Sequence, residues 1–457
     1  MSILSAASRI LVFSIFCSSC SSKKEVVKAD EKPVDDPYSL LVDDEEDAID
    51  YFDENAIRFE DYTYKDDIKS VQLHPLGDPL AYPIIALNPN QRLELHFDDM
   101  GNDLPQYYYR LYHCNADWTR SDIIEMQYLD GFFSDILNNY DMSFNTLVPY
   151  VHYSVTIPNE SMRLKLSGNY LLVVTENDNE ENPVLTRRFM VVEPKVAIQS
   201  TAKQSPIVAQ RPYKQLIDFE IHHASMNIVN PFRDIQTVIL QNQRWDRAIT
   251  DLKPIFLRDK ILEYRYDRGN DFWGGNEFRQ FNISSTQYIS ENVAAIYREG
   301  DRFVAELNRD FKRSLNRYLT YRDINGRYVN RNTEGFGDRT ESDYVDVNFR
   351  LDHDEPATNG SFYVFGGLSD WRISPDFRLR YNDQSEAYEC TVALKQGFYE
   401  YQYVFLKDMS DMIDETVIEG SHFETENDYT ILVYYRDISN DYDELIGVST
   451  FSTRDRF

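Results

Sequence analysis

One pattern constrains this chain more than any other: short runs of alternating apolar and polar residues, each closed by turn-forming residues. Arg92–Phe97 reads RLELHF, so in an extended chain Leu93, Leu95 and Phe97 fall on one side and Glu94 and His96 on the other. Period two is the signature of a strand with one buried face. Alternating or apolar runs recur at Ser70–Leu76, Tyr82–Leu87, Val151–Pro158, Gly168–Asn177 and Leu185–Pro194, with turns such as Gly77-Asp78-Pro79 and Asn88-Pro89-Asn90 between them. The 33 Tyr and 27 Phe against 17 Gly fit pleated, half-buried surfaces. Short strands at regular spacing, with turn signals between them, predict β-sandwiches.

The predicted fold is all-β, with tandem immunoglobulin-like or early-set sandwiches in three segments: residues 56–195, 196–345 and 346–457. In the second, QLIDFEIHH alternates, and VAAIYREGDRFVAELNRD and RYLTYRDINGRYV read as strands joined at Gly300-Asp301 and Asn325-Gly326. Asn-Gly is a strong cue for a type I′ hairpin. No internal repeat accompanies the three segments.

The N-terminus reads differently. Arg9 precedes the apolar stretch Ile10–Phe16, which is too short to span a bilayer and is followed by Ser18-Ser19-Cys20. Residues 1–20 resemble a bacterial lipoprotein signal in which Cys20 becomes the lipidated terminus, with Cys17 as the alternative. Residues 21–55, with DDEEDAIDYFDEN at their heart, are expected to form a disordered acidic tether. The expected location is the cell envelope, lipid-anchored to the periplasmic face of the outer membrane.

Charge and motifs exclude several functions. Against 47 basic residues stand 77 acidic ones, a net charge of −30, and no basic stripe offsets the repulsion of a phosphate backbone. Nucleic acid is therefore not an expected partner. The stretch RLYHCNADW (Arg110–Trp118) concentrates His113, Cys114, Asn115 and Asp117. A thiol nucleophile needs its histidine beside it in space, yet neighbours on a strand point to opposite faces. Tyr112 and Cys114 are expected to share one face and His113 to take the other, with a turn starting at Asn115. His222-His223 reads as a strand end for the same reason. No metal-ligand spacing, phosphate loop or hydrolase motif occurs. The prediction is a non-enzyme with no catalytic residue, metal or cofactor. Cys114 and Cys390 are read as two separate buried thiols.

Three loops are candidates for contact with a protein partner: the turn carrying Trp118, NDFWGGNEFRQF with Trp273, Gly274 and Gly275, and FGGLSDWRISPD with Trp371. The aromatic residues of the second loop are read first as core, with an exposed interface loop as the alternative. Residues 362–405 resemble the early-set sandwich of glycogen-binding modules. Those modules stack sugars on more than one exposed aromatic, whereas only Trp371 is available here and the neighbouring Tyr residues read as core. A small-molecule or glycan ligand is not expected.

Taken together, LNPNQRLELHFDDM, YYYRLYHCNADWTRSDI, SFNTLVPYVHYSVTIPN, NPFRDIQTVILQNQRWD, FWGGNEFRQF, FYVFGGLSDW and GFYEYQYVF resemble, in order and spacing over about residues 70–450, the plug protein of the Bacteroidota type IX secretion system. The resemblance implies an all-β, envelope-facing non-enzyme. Its partner would be the giant outer-membrane β-barrel translocon (SprA/Sov type), whose periplasmic mouth it would seal when no cargo carrier is engaged. Two other classes stay open: an envelope glycan-binding lipoprotein, and a cargo-handling assembly factor with exposed sheet edges.

Overall fold

In the computed structural model the run Leu93–Asp99 is a strand, as alternation predicts, but all of its residues are buried. The structure describes residues 56–456 except 102, 336, 338, 354, 355 and 411. The lipoprotein signal, Cys17, Cys20 and the acidic tether lie outside the described residues.

The first sandwich pairs two sheets. One carries Pro183–Val192, Gly168–Glu176, Tyr107–Cys114 and Ser134–Ile136 in that order, with Ile84–Ala86 parallel to Pro183–Val192. The other runs Ile68–Pro75, Leu93–Asp99, Val151–Ile157 and Tyr140–Met142. Leu95, Phe97, Tyr109, Tyr153, Leu172, Val174 and Phe189 fill the core between them.

The second sandwich is built from distant parts of the chain. One sheet holds Ala197–Gln204, Lys214–His222, Ile261–Tyr264 and Phe256–Arg258, with Asp271–Trp273 beside Lys214–His222. Its partner orders Arg244–Ile249, Ile235–Gln241, Asp428–Tyr435 and Glu444–Ser452. Ile235 pairs with Tyr435 and Gln241 with Tyr429, so the last strands of the chain return to the middle. Between Trp273 and Asp428 lies the third sandwich. It sets Gly397–Lys407 and its neighbours Arg279–Asn282, Tyr328–Asn330 and Gly360–Phe365 against a sheet of Val293–Glu299, Arg302–Leu307, Tyr344–Asp352 and Ala387–Lys395. The third sandwich is thus inserted into the second. The sheets do not follow the contiguous intervals 196–345 and 346–457, because a strand's partner is chosen by packing and register and leaves no mark in its own sequence.

The chain is therefore all-β and built of tandem β-sandwiches. The Gly300-Asp301 turn joins Val293–Glu299 to Arg302–Leu307 as expected. Asn325 and Gly326 both take positive φ (56° and 77°), giving the expected turn, but residues 317–323 before it form no strand. The polar groups Tyr321 and Asp323 in that stretch are held by side-chain hydrogen bonds instead of a ladder, Tyr321 with Arg313 and Glu277 and Asp323 with the Phe278 amide.

The three sandwiches make one compact unit, and the first of them shares both of its sheets with neighbours. On Gly168–Glu176, Tyr170, Leu172 and Val174 face the first core, while Leu171 and Val173 pack with Val238, Leu240, Leu432 and Tyr434 of the second sandwich.

Candidate interaction surfaces

The strand Tyr107–Cys114 points its residues alternately. His113 lies among Tyr128, Tyr170 and Tyr442, and Tyr112 and Cys114 lie in the cluster between the first two sandwiches. The His113 Nε2–H donates to the Ser167 carbonyl (3.1 Å), and Nδ1 lies 2.8 Å from the Ser121 hydroxyl. Burial holds this imidazole down to about 4, so it stays neutral. Burial also pushes the Cys114 thiol up to about 12, and the same cause does so for Cys390. Both cysteines are free and buried. Neither is a thiolate at neutral pH, and thiolates are the reactive form. Iodoacetamide at neutral pH is expected to leave both unmodified in the native protein and to alkylate both after unfolding. Peptide mass spectrometry reads this directly, and native labelling of Cys114 would contradict the packing described here.

Each expected contact residue has a defined place. Trp118 sits in the turn at φ 68° but is only 5% exposed. Its ring meets Trp245 edge-on at 5.1 Å, and the Arg188 guanidinium lies 4.4 Å from its centre. It joins the first sandwich to the second and presents no surface to a partner. Trp371 is half-buried between Phe278 (5.7 Å) and Phe365 (5.6 Å), with the guanidinium of Arg244 4.8 Å from the ring. It joins the second sandwich to the third. Tyr399, Tyr401 and Tyr403 are buried in the third core. Trp273 is 47% exposed at the end of Asp271–Trp273, with Lys214 Nζ 5.0 Å from its ring, while Phe272 and Phe278 are buried. Of the three tryptophans, Trp273 alone faces solvent widely.

Gly274 and Gly275 mark the point where the chain leaves the second sandwich and crosses the segment that returns. A Cβ at Gly274 would lie 1.9 Å from the His422 carbonyl oxygen, and Gly275 has φ +69°. The His422 amide donates to the Gly275 carbonyl at 2.8 Å. Gly274→Ala is therefore expected to destabilise the protein by about 3 kcal/mol, the scale of a forced backbone shift in a packed interior. A denaturant midpoint unchanged by this substitution would refute the crossing.

Sequence reasoning missed a buried polar cluster. Asp98 is fully buried, and its carboxylate accepts from Lys395 Nζ (2.6 Å), Tyr344 Oη (2.7 Å) and His152 Nδ1 (2.6 Å). His152 Nε2 lies 3.2 Å from His96 Nδ1, and His96 Nε2 lies 3.0 Å from Glu94, which also accepts from Arg339 at 3.1 Å. All of these except Tyr344, together with His74, line a cavity of about 210 Å³. Tyr344 and Lys395 are register partners on the third sandwich, and Asp98 and His152 on the first. Burial opposes ionisation of Asp98, but the Lys395 ammonium and His152 prevail and hold its carboxyl below the usual range. Alternation did place Glu94, His96 and Asp98 on one face. Nothing in the strand showed that the third sandwich covers that face. Among the described residues no group of His, Cys, Asp or Glu is arranged to hold a metal ion.

The family model for the type 9 secretion system plug protein 1st domain matches residues 68–193, which span most of the first sandwich. The crystal structure of a hypothetical protein from Parabacteroides merdae ATCC 43184 superposes with a TM-score of 0.83 at 32% identity, covering 87% of this chain and 100% of that one. No curated protein matches the chain. Matched in sequence over its first sandwich and in structure over nearly all its described length, the chain belongs to the type 9 secretion system plug protein family, and its role is associated with that system.

Proposed function

We propose that the protein is a non-enzymatic stopper that binds the periplasmic mouth of the giant outer-membrane β-barrel translocon (SprA/Sov type) and seals it while no cargo carrier is engaged. A lipid on Cys20 and the acidic segment 21–55 would hold it at the periplasmic face of the outer membrane, raising its local concentration there. The observation that carries the reading is the family match on a first sandwich whose two sheets are each clamped by another sandwich. A wide barrel leaves an aqueous lumen, and closing it needs a body that does not deform. Trp273 and its loop are the proposed partner contact, since Trp118 and Trp371 are occupied internally.

The test is affinity purification of the tagged chain from solubilised outer membranes, with mass spectrometry of what co-elutes. A very large β-barrel recovered without its cargo carrier is the expected result. Failure to recover any barrel would overturn the proposal. One observation favours the cargo-handling reading: at the sheet edge Phe256–Arg258 all three residues are exposed, which suits an added strand. Recovery of secreted substrates in place of the barrel would select it. The glycan-binding reading gains nothing from Trp371, whose ring is packed against Phe278 and Phe365.

A further inference from the structure

Residues 308–327 link the strands Arg302–Leu307 and Tyr328–Asn330 without any helix or strand longer than an isolated bridge. Connections of this length inside a compact domain are uncommon and tend to be functional. This one has a fixed shape. The Asp310 amide donates to the Arg350 carbonyl (2.8 Å), and the Arg313 amide donates to that of Ile418 (2.9 Å). Arg279 Nη2 donates to the Phe311 carbonyl (2.7 Å), and the Tyr321 hydroxyl donates to that of Glu277 (2.9 Å).

The side turned outward has a different character. Phe311, Leu315 and Leu319 are 59%, 93% and 75% exposed. Between and beside them Lys312, Arg317 and Arg322 are exposed, and among the described residues none of the three makes a hydrogen bond or ion pair. In a chain of net charge −30, residues 309–322 hold four Arg and one Lys against the single acid Asp310. Leu315 touches almost nothing, so the loop is a projection and not a groove. A bound peptide would need a groove or a free strand edge. Exposed apolar tips interspersed along one loop with unpaired cations suit a bilayer interface, where the tips enter the acyl boundary and the cations meet anionic headgroups.

We propose that the 308–322 loop docks the protein onto an anionic lipid surface, with Phe311, Leu315 and Leu319 entering the interface and Lys312, Arg317 and Arg322 contacting headgroups. This contact is separate from the N-terminal lipid and does not depend on the translocon reading.

The test is flotation of the Tyr51–Phe457 chain with protein-free vesicles. The solved relative superposes over 100% of its length on 87% of this chain, an extent close to that of this compact unit. Vesicles of phosphatidylcholine alone are compared with equal parts phosphatidylcholine and phosphatidylglycerol. The anionic vesicles are expected to carry the protein up and the neutral ones to leave it behind. Lys312→Glu with Arg317→Glu should weaken flotation at least about twentyfold, since each surface cation contributes roughly fivefold. Leu315→Asp with Leu319→Asp should abolish it, and Phe256→Asp on the exposed sheet edge should leave it unchanged. Circular dichroism of each variant verifies folding, which these exposed positions do not support. No flotation with anionic vesicles, flotation unaffected by the loop variants, or flotation lost in Phe256→Asp would each overturn the proposal. Loop variants that fail to retain a co-purified protein, while vesicles never bind the parent chain, would overturn it in favour of a protein contact. Because the vesicles contain no barrel, none of these results bears on the plug reading.

Discussion

Replacing Asp98 by alanine is expected to destabilise the protein by about 3–5 kcal/mol, the cost of leaving a buried charge without its partner. Lys395 is 2% exposed, and with Asp98 gone its ammonium would keep the Arg339 carbonyl at 2.7 Å and the Tyr150 ring at 4.2 Å but no carboxylate. The second-site variant Asp98→Asn/Lys395→Met should recover much of the loss, since removing both charges of a buried pair is often nearly neutral. Because Asp98 belongs to the first sandwich while Lys395 and Tyr344 belong to the third, the damage should concentrate at their contact. Faster hydrogen exchange in Leu93–Asp99 and Tyr344–Asp352, with Pro183–Val192 little changed, is the expected pattern. A uniform change across all three sandwiches would argue that Asp98 does not act as a clamp.

The same cluster makes stability fall in acid. The carboxyl of Asp98 lies below its usual range, so the unfolded chain binds that proton first as pH drops; the stabilisation is complete at neutral pH and is lost as pH passes down through the native value. His96 acts in the same direction. Burial holds its imidazole down to about 4 from an ordinary 6.5, so between those values the unfolded chain takes up a proton that the native state refuses. Denaturant midpoints should therefore decline from pH 6.5 towards 4. His96→Gln should flatten that part of the curve.

Glu419→Ala is the second substitution with a large expected effect, again about 3–5 kcal/mol. Glu419 is 1% exposed, pairs with Arg279 (3.0 Å) and Arg313, and accepts the Tyr403 amide (2.8 Å). Burial opposes its ionisation, but the two guanidinium groups hold its carboxyl down to about 2. Its contribution is present above about 4.5, the ordinary value, and disappears as pH falls towards 2. Glu419→Gln keeps the acceptor for Tyr403 and isolates the charge. If its acid unfolding curve matched that of the parent chain below pH 4.5, the ion triad would not be stabilising. Arg313 also anchors the 308–327 loop, so Glu419→Ala should loosen that loop, visible as exchange at the Arg313 amide.

Much of the fold was legible because alternation is a local property. Leu93, Leu95 and Phe97 face the first core as their spacing requires, and the separation of His113 from Cys114 follows from one peptide unit of extended chain. The expectation of two separate buried thiols agrees with the positions of Cys114 and Cys390. The contact residues were less legible. A tryptophan beside a turn reads equally well as a surface anchor or as a plug between sheets, and its neighbours in space decide which. Trp245 and Arg188 enclose Trp118, whereas among the described residues Trp273 has only Lys214 over its ring among the cationic and aromatic contacts.

The sequence by itself determined that the chain forms strands, where most of them turn, and which side of each strand is apolar. These follow from the geometry of an extended backbone and from the φ preferences of turn residues. Only the tertiary structure decided that the polar side of Leu93–Asp99 is buried too, and that Asp428–Tyr435 returns to pair with Ile235–Gln241 across an inserted sandwich. The physical reason is that a strand encodes its own two faces but not what covers them. A carboxylate on the polar face reads as solvated until a lysine from some 300 residues away is brought within 2.6 Å of it.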